Sequence, residues 1–600
     1  MQFFPSIRRS PLASAWISMG IFSGIAAAQT CSTTRVSLGP GGVEALSGCT
    51  NPVLSADGRW VAFESGASNL VAGDTNNYSD IFLVDLQAST LVRASTTATG
   101  GESTSPSQFA SLSADGRYVA FKTSASNLMP VPPNGHPQYV IKDMQSGVLE
   151  AASANSSGTM GNHESFGVMT RDGRHFVFTS DATNLVLGDT NGVNDVFERD
   201  LNTGVTVRVN LGPGGIQDTS PSGVPRASAD GRFVVFTSAS SVLVPGDTNP
   251  SGDVFLADLQ SGTIVFADTN FLGVQANGGC SDPDVSDDGR FVSFVAHASN
   301  LVLTDTHNQE CVYVKDMQTG SVYLASTDSL QLSGGVHGGF PVLTPNGRVV
   351  LFWTGSVLDP QDTNAFMDMY AHDIFTARTA IVDLGSSGAA GNTNVWQDFG
   401  TNQDGSKFVF SSDSTNVVPG DLNSHEDVFV RDCPWDQPHG IFCPGTALNC
   451  PCGNNGSFPN GCANSVNAAG ASLMPSGAIN PDTILLSASG MPPTASAVFL
   501  QGSVDVSQGT PWGGIVFGDG NRCVGGSLKR LAIKSSVSGA TQYPEVGDPS
   551  ISTRSAALGD PLSSGKIRYY QTWYRDSNPG FCSVPVGNGW NVTSGAIVVW

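Results

Sequence analysis

The chain is poor in charge, and poorest in positive charge. Only 13% of its 600 residues are charged, 28 Lys and Arg stand against 51 Asp and Glu, and the net charge is −23 with a pI near 4.5. A surface that neutralises phosphates needs clustered Lys and Arg, so the composition argues against nucleic acid as a partner. Beyond residue 28 no stretch reaches the roughly 20 apolar residues that span a bilayer, which predicts no membrane span. Apolar patterns of helical period are scarce. No G-x-S-x-G elbow and no H-E-x-x-H helix is present, and the nine histidines are scattered. The usual hydrolase and metalloprotease signatures are therefore missing, and no catalytic residue is assigned.

Glycine and proline are plentiful instead. Seventy Gly and 34 Pro point to many turns and an all-β chain. Arg8 and Arg9 precede an apolar run from Ala13 to Ile25, and Ala26, Ala27 and Ala28 supply a cleavage site, so residues 1–28 read as a signal peptide. The mature chain is expected to be exported, whether secreted, periplasmic or at the cell surface. Eleven cysteines in such a chain read as disulfides before metal ligands.

One unit is written seven times. Asp-Gly or Asn-Gly pairs begin at Asp57, Asp115, Asp172, Asp230, Asp288, Asn346 and Asp404, steps of 57 or 58 residues by subtraction. Six residues after each stands Phe: Phe63, Phe121, Phe178, Phe236, Phe294, Phe352 and Phe410. Two residues before each Phe is Val or Phe, a period of two that predicts a strand with one buried face. The Asp-Gly dipeptide suits a two-residue hairpin turn. A third strand ends in Asp85, Asp143, Asp200, Asp258, Asp316, Asp373 or Asp432, each placed to head the next turn through a local hydrogen bond. Four short antiparallel strands at fixed period predict propeller blades. The segments SADGRWVAF and DIFLVD resemble the TolB-type or PD40 WD40-like bacterial propeller repeat over residues 32–433. The resemblance implies a seven-bladed β-propeller at 29–434 and a binding role of unspecified kind.

Unit seven lacks its fourth strand. Thr33 to Val43 reads TTRVSLGPGGV, whereas Thr206 to Ile216 of unit three reads TVRVNLGPGGI. The N-terminal strand is thus expected to complete the last blade and leave no unpaired seam. The same alignment places Cys433 and Cys31 on the two flanks of one turn, within reach of a Cys31–Cys433 disulfide.

The longer loops share one face, where a pattern D-x-N-x-x-x-D recurs in five units: Asp74, Asn76 and Asp80; Asp189, Asn191 and Asp195; Asp247, Asn249 and Asp253; Asp362, Asn364 and Asp368; Asp421, Asn423 and Asp427. Alternating oxygens suit Ca²⁺, and the same residues also make Asx-turns. Both readings stand at this level, with calcium the only cofactor suggested and none required. Unit two has a Pro-rich loop there, and unit five has Asp305, His307 and Cys311.

After Pro434 the rhythm stops. Residues 435–465 read as a Cys-, Gly- and Asn-rich linker, and 466–600 as a disulfide-rich, β-sandwich-like domain, with strand-like runs at 483–488, 497–501, 515–517, 528–534, 567–574 and 596–600. Tyr569, Tyr570, Trp573 and Tyr574 share one strand, as core or as an exposed sugar-stacking face. The segment resembles an uncharacterised C-terminal module of secreted planctomycete-like proteins, which implies no activity. The expectation is a monomeric scaffold that binds a protein or carbohydrate ligand through its long-loop face. The alternative is an extracellular polysaccharide lyase or glycosidase.

Overall fold

The computed structural model describes residues 31–129, 135–223, 225–302, 309–329, 337–395, 399–433, 439–442, 450, 460–477, 479, 481–505, 515–517, 520–563, 566–576 and 590–600. The expected signal peptide, the Pro-rich loop of unit two, and Asp305 and His307 lie outside these residues. Residues 31–600 form one compact unit.

Seven four-stranded antiparallel sheets occur among the described residues. Sheet one spans 49–93, sheet two 107–151, sheet three 165–208, sheet four 226–266, sheet five 280–324 and sheet six 339–381. Sheet seven combines 399–432 with the N-terminal strand Ser32–Arg35. Strands two and three pair in the same register throughout, so Phe63 faces Phe82, Phe178 faces Phe197 and Phe410 faces Phe429, with ring centroids 5.5–5.7 Å apart.

The period-two expectation of one buried face is corrected. Val61 and Phe63 are fully buried, but so is Ala62 between them, and the same holds for Phe408, Val409 and Phe410. The reason is lateral packing. Within the repeats each buried cluster draws on two successive sheets, from sheets one and two through to six and seven, and a further cluster joins Val409, Val428 and Val430 of sheet seven to Phe63 and Phe82 of sheet one. Every sheet is thus covered on both sides, and the packing runs in a closed circuit.

The hairpin turn also differs from expectation. Ser55 pairs with Trp60 across a four-residue loop, Gly58 N–H donates to Ser55 C=O at 2.9 Å, and only Gly58 of the loop takes positive φ, at 69°. A type I turn with glycine in the left-handed region replaces the two-residue turn. Asp57 Oδ1 accepts from Ser55 Oγ and from Arg59 N–H, which locks the loop. Each turn sits on the preceding sheet: a Cβ on Gly116 would lie 2.2 Å from Trp60 Cγ, and one on Gly289 2.1 Å from Phe233 Cδ2.

The aspartate ending strand three does head the next turn, as Asp85 Oδ1 accepts from Gln87 and Ala88 N–H. It has a second partner that the local reading missed. Arg59 bonds both Asp85 oxygens, at 2.9 and 2.5 Å, and holds that carboxyl down at about 2. The same pairing recurs as Arg117–Asp143, Arg174–Asp200, Arg232–Asp258, Arg290–Asp316, Arg348–Asp373 and Lys407–Asp432.

The N-terminal strand pairs with the last strand of sheet seven, Ser32 opposite Asp432 and Arg35 opposite Phe429. The Cys31–Cys433 disulfide is formed, with a Cα–Cα distance of 4.3 Å. It links the two ends of the circuit across 402 positions, so Cys433→Ser is expected to lower stability by about 2–4 kcal/mol. Guanidinium unfolding of the oxidised variant and wild type measures the difference, and equal midpoints would contradict it.

Beyond the circuit, a five-stranded sheet orders His439–Phe442, Trp590–Val599, Ile567–Arg575, Ser496–Gly502 and Lys529–Ser535. A three-stranded sheet holds Ser472–Ser476, Leu485–Ser489 and Thr541–Tyr543. Leu473, Leu486, Phe499, Leu531 and Tyr570 from both sheets share one core. Residues 439–442, expected within the linker, are an edge strand of this sheet, and Cys450–Cys462 is a second disulfide. Ile597, Ile567 and Tyr569 join the cluster of sheets five and six, so the C-terminal segment packs on the repeats.

Candidate functional site

The first strands of neighbouring sheets lie against one another at six of the seven junctions in the circuit, which makes them its inner lining. Their N-terminal ends point to the long-loop side, because strand two ends and strand three begins there. At the position six residues before each turn Asp or Asn, the lining carries Asn51, Phe109, Phe166, Asp282 and Phe340 among the described residues. Four of these have positive φ, 50° at Asn51, 53° at Phe109, and 49° at Asp282 and Phe340, and each sits where the strand register slips. Such a conformation costs a non-glycine residue about 1–2 kcal/mol. The bulge thus recurs in sheets one, two, five and six and presents Asn, Phe, Asp and Phe in turn, whereas Phe166 of sheet three lies on a regular strand. Bulges of this kind re-aim a side chain.

Two of the presented rings stand together in solvent. Phe109 and Phe166 are 43% and 41% exposed, and their centroids are 6.4 Å apart, edge to face. Beneath them Lys122 is buried, with Nζ 3.3 Å from the Phe166 ring centroid and paired to Glu164. Burial pulls the Lys122 amine below its usual range. Glu64 accepts from the Phe109 N–H and fixes the bulge. Further out, His136 stacks on His163 at 5.4 Å, and His163 Nδ1 lies 3.2 Å from Asp181. Across the lining Phe340 stacks on Trp353 at 6.2 Å, with His337 edge-on to the same indole. Apolar rings beside carboxylates, imidazoles and one buried ammonium suit a ligand with alternating apolar and polar faces.

This lining was missed by reading the residues each unit shares. Its signal lies in what they do not share: aligned on the turns, this position varies while the Phe twelve residues later never does.

The Asx triads are brought together as loop anchors. Asn76 Nδ2 donates to Asp80 at 3.0 Å and to the Ser103 carbonyl at 3.2 Å, and its Oδ1 accepts from Tyr78 N–H. Asn191, Asn249, Asn364 and Asn423 donate likewise to Asp195, Asp253, Asp368 and Asp427. In three sheets an arginine from strand four fills the space between the acids. Arg93 contacts Asp74, Asp80 and Glu102 at 2.9–3.1 Å, Arg208 contacts Asp189 and Asp195 at 2.8 and 3.3 Å, and Arg35 contacts Glu44, Asp421 and Asp427 at 2.9–3.1 Å. A guanidinium there does the work of a cation, so these three loops do not fit calcium. No group of three or more His, Cys, Asp or Glu is arranged to hold a metal among the described residues. Asp247 accepts from Gln275 Nε2, and Asp362 accepts from the Tyr370 hydroxyl.

The C-terminal aromatics divide. Tyr570 and Tyr574 are fully buried core, accepting from Trp600 Nε1 and Asn464 Nδ2, and Tyr569 packs toward the repeats. On the short-turn side, His175 Nδ1 meets Glu198 at 2.6 Å in a groove of about 630 Å³. No helix among the described residues is long and apolar enough to cross a membrane.

The fold thus defines a nearly all-β chain, with a short helix at Ile551–Ala557, whose repeats are four-stranded antiparallel sheets of the propeller type. No family model matches the sequence, and no curated protein matches it. Among solved structures the chain is similar to an oligogalacturonate lyase from Vibrio parahaemolyticus, at 14% identity over 68% of this chain and 98% of that one, with a TM-score of 0.42. It is similar to the β-propeller domain of the Trilobed protease from Pyrococcus furiosus, at 11% identity over 65% and 96%, TM-score 0.38. It is also similar to TolB from Acinetobacter baumannii, at 17% identity over 55% and 62%, TM-score 0.30.

Proposed function

We propose that the chain is an exported seven-bladed propeller with a C-terminal β-sandwich domain, and that it is a recognition scaffold binding a protein or glycan ligand at the mouth of its channel on the long-loop face. The observation that carries this is the pair of inner-lining rings, Phe109 and Phe166, held in solvent beside a bulge that recurs in four sheets and presents Asn, Phe or Asp. A recurring backbone with varied inner residues separates holding the ring together from meeting a ligand. Export is supported by disulfides, which persist in oxidising compartments.

The test is a glycan and peptide array with the mature protein, followed by calorimetry on the best ligand. Phe109→Ala and Phe166→Ala are each expected to weaken binding by about tenfold, near 1.4 kcal/mol, without lowering the melting temperature appreciably. Unchanged affinity in the double variant would move the search to the C-terminal domain.

A further inference from the structure

At the short-turn end the inner lining is drawn together by backbone. Residues at, or one before, each turn Asp or Asn bond their neighbours around the circuit. Asp57 N–H donates to Ala114 C=O, Ala114 to Arg171, Asp172 to Ala229, Ala229 to Asp287, Asp287 to Pro345 and Gln403 to Ala56, at 2.6–3.2 Å. The seventh junction starts at Pro345, which has no N–H to give. Seven backbones about 4.8 Å apart enclose a circle only about 11 Å across between chain centres. The Arg171–Asp287 ion pair, at 2.7 Å, spans that circle from sheet three to sheet five, past sheet four. The lining is thus a cup, narrowed at the short-turn end and open on the long-loop side.

Three cations belong to this cup among the described residues, and two of them are matched. Lys122 is paired with Glu164, and Arg171 with Asp287. Arg226, in the first strand of sheet four, has no such partner: its Nη1 donates to the Pro225 carbonyl at 3.2 Å, and it forms no ion pair among the described residues. It is half-buried, and its charge acts on Asp284 of sheet five and on Tyr139 of sheet two, which places the guanidinium inside the circuit. Asp284 does not answer it. Burial pushes that carboxyl up, and its two oxygens accept from Val285 and Leu343 N–H. At the same place in their units, four residues before the turn Asp or Asn, other sheets carry Val53, Ser111, Val168, Val342 and Gly400. Building a sheet therefore needs no cation there.

We infer that Arg226 is a carboxylate-binding residue and that the ligand is a peptide whose free C terminus enters the cup first. This rests on the binding proposed at the long-loop mouth and adds to it the class and direction of the ligand. A guanidinium carries five N–H donors in a planar fork, and a carboxylate accepts two of them side by side. Capture of a terminal carboxylate is an established mode of peptide recognition. A cup narrowed at its far end admits a chain end, whereas a chain interior needs an exit. Phe109 and Phe166 stand two positions nearer the mouth than Arg226, about 7 Å along a strand, and two residues of extended peptide cover that distance. One face of Phe166 is taken by Lys122 Nζ, 3.3 Å from its centroid, and the two rings are tilted by 62°. They form a wedge for an apolar side chain, not a flat platform for a sugar.

The net charge of −23 repels an anion at long range, so preference for one arises from contact inside the cup. Replacing the terminal carboxylate by an amide removes the charge-assisted hydrogen bonds, and the amide is expected to bind about tenfold more weakly.

The experiment is an array of random octapeptides tethered through their N termini, each present with a free C terminus and as its amide, probed with the mature, oxidised protein. Calorimetry on the best pair follows. Wild type is expected to prefer the free form by about tenfold, Arg226→Gln to bring the two forms within about twofold, and Arg226→Lys to keep part of the preference. Melting temperatures of both variants should match wild type, since the guanidinium holds no acid. Equal binding of the two forms by wild type, a preference that survives Arg226→Gln, or an array with no binder overturns the proposal, and so does binding of acidic glycans alone. Peptides that need Phe109 and Phe166 but ignore Arg226 overturn it while leaving the mouth as the binding site. Peptides that need Arg226 but are indifferent to Phe109→Ala and Phe166→Ala support the carboxylate contact and count against the mouth.

Discussion

Arg93→Ala is expected to destabilise the protein by about 3–5 kcal/mol, the usual cost of leaving a buried carboxylate without its cation. The Arg93 guanidinium touches three acids, of which Asp80 is fully buried and Asp74 nearly so. Removing it leaves these charges in a space closed by the loop and by the next sheet. The acids cannot turn to water without breaking the Asn76 contacts that hold the loop. Equilibrium urea unfolding at neutral pH measures the loss. A second variant separates charge from packing: Arg93→Ala with Asp80→Gln copies the Ala151 and Gln138 of sheet two, and should recover part of it. A single variant within about 1 kcal/mol of wild type would mean that water reaches the acids.

Gly116→Ala is expected to cost about 2–5 kcal/mol. About 1–2 kcal/mol comes from placing alanine at φ +68°. The rest is overpacking, typically about 1–3 kcal/mol, because the new Cβ would stand 2.2 and 2.3 Å from Trp60 Cγ and Cδ1. Trp60 has little room to yield, with the Arg59 guanidinium 4.8 Å from its ring centroid and held by Asp85. Gly73→Ala is the control. Gly73 has φ +80° and nothing within 4 Å of its added Cβ, so it should show the conformational share alone. If the two variants melt alike, the turns are not interlocked. If Gly116→Ala melts much lower, and Trp60→Ala added to it narrows the gap, the contact between sheets is the cause.

The Arg-paired carboxyl of Asp85 is lowered to about 2, so its share of stability is present above about pH 4 and lost as pH falls toward 2.

What the sequence determined by itself is everything set by residues close together in the chain, or by comparing one unit with another. The Asp-Gly spacing marked the units, period two marked their strands, and the likeness of Thr33–Val43 to Thr206–Ile216 placed the closing strand and, through it, Cys31 opposite Cys433. Tertiary structure decided the rest. Ala62 is buried as deeply as Phe63 because a neighbouring sheet covers the second face, and a single strand carries no mark of that neighbour. The turn glycines look like local conformational choices, but Gly116 also answers to Trp60, 56 positions away by subtraction. Whether an Asp in a loop meets a guanidinium depends on strand four, which returns only after a turn. For the same reason Phe109 and Phe166, one unit apart in sequence, become a candidate binding surface only when the circuit brings their first strands side by side.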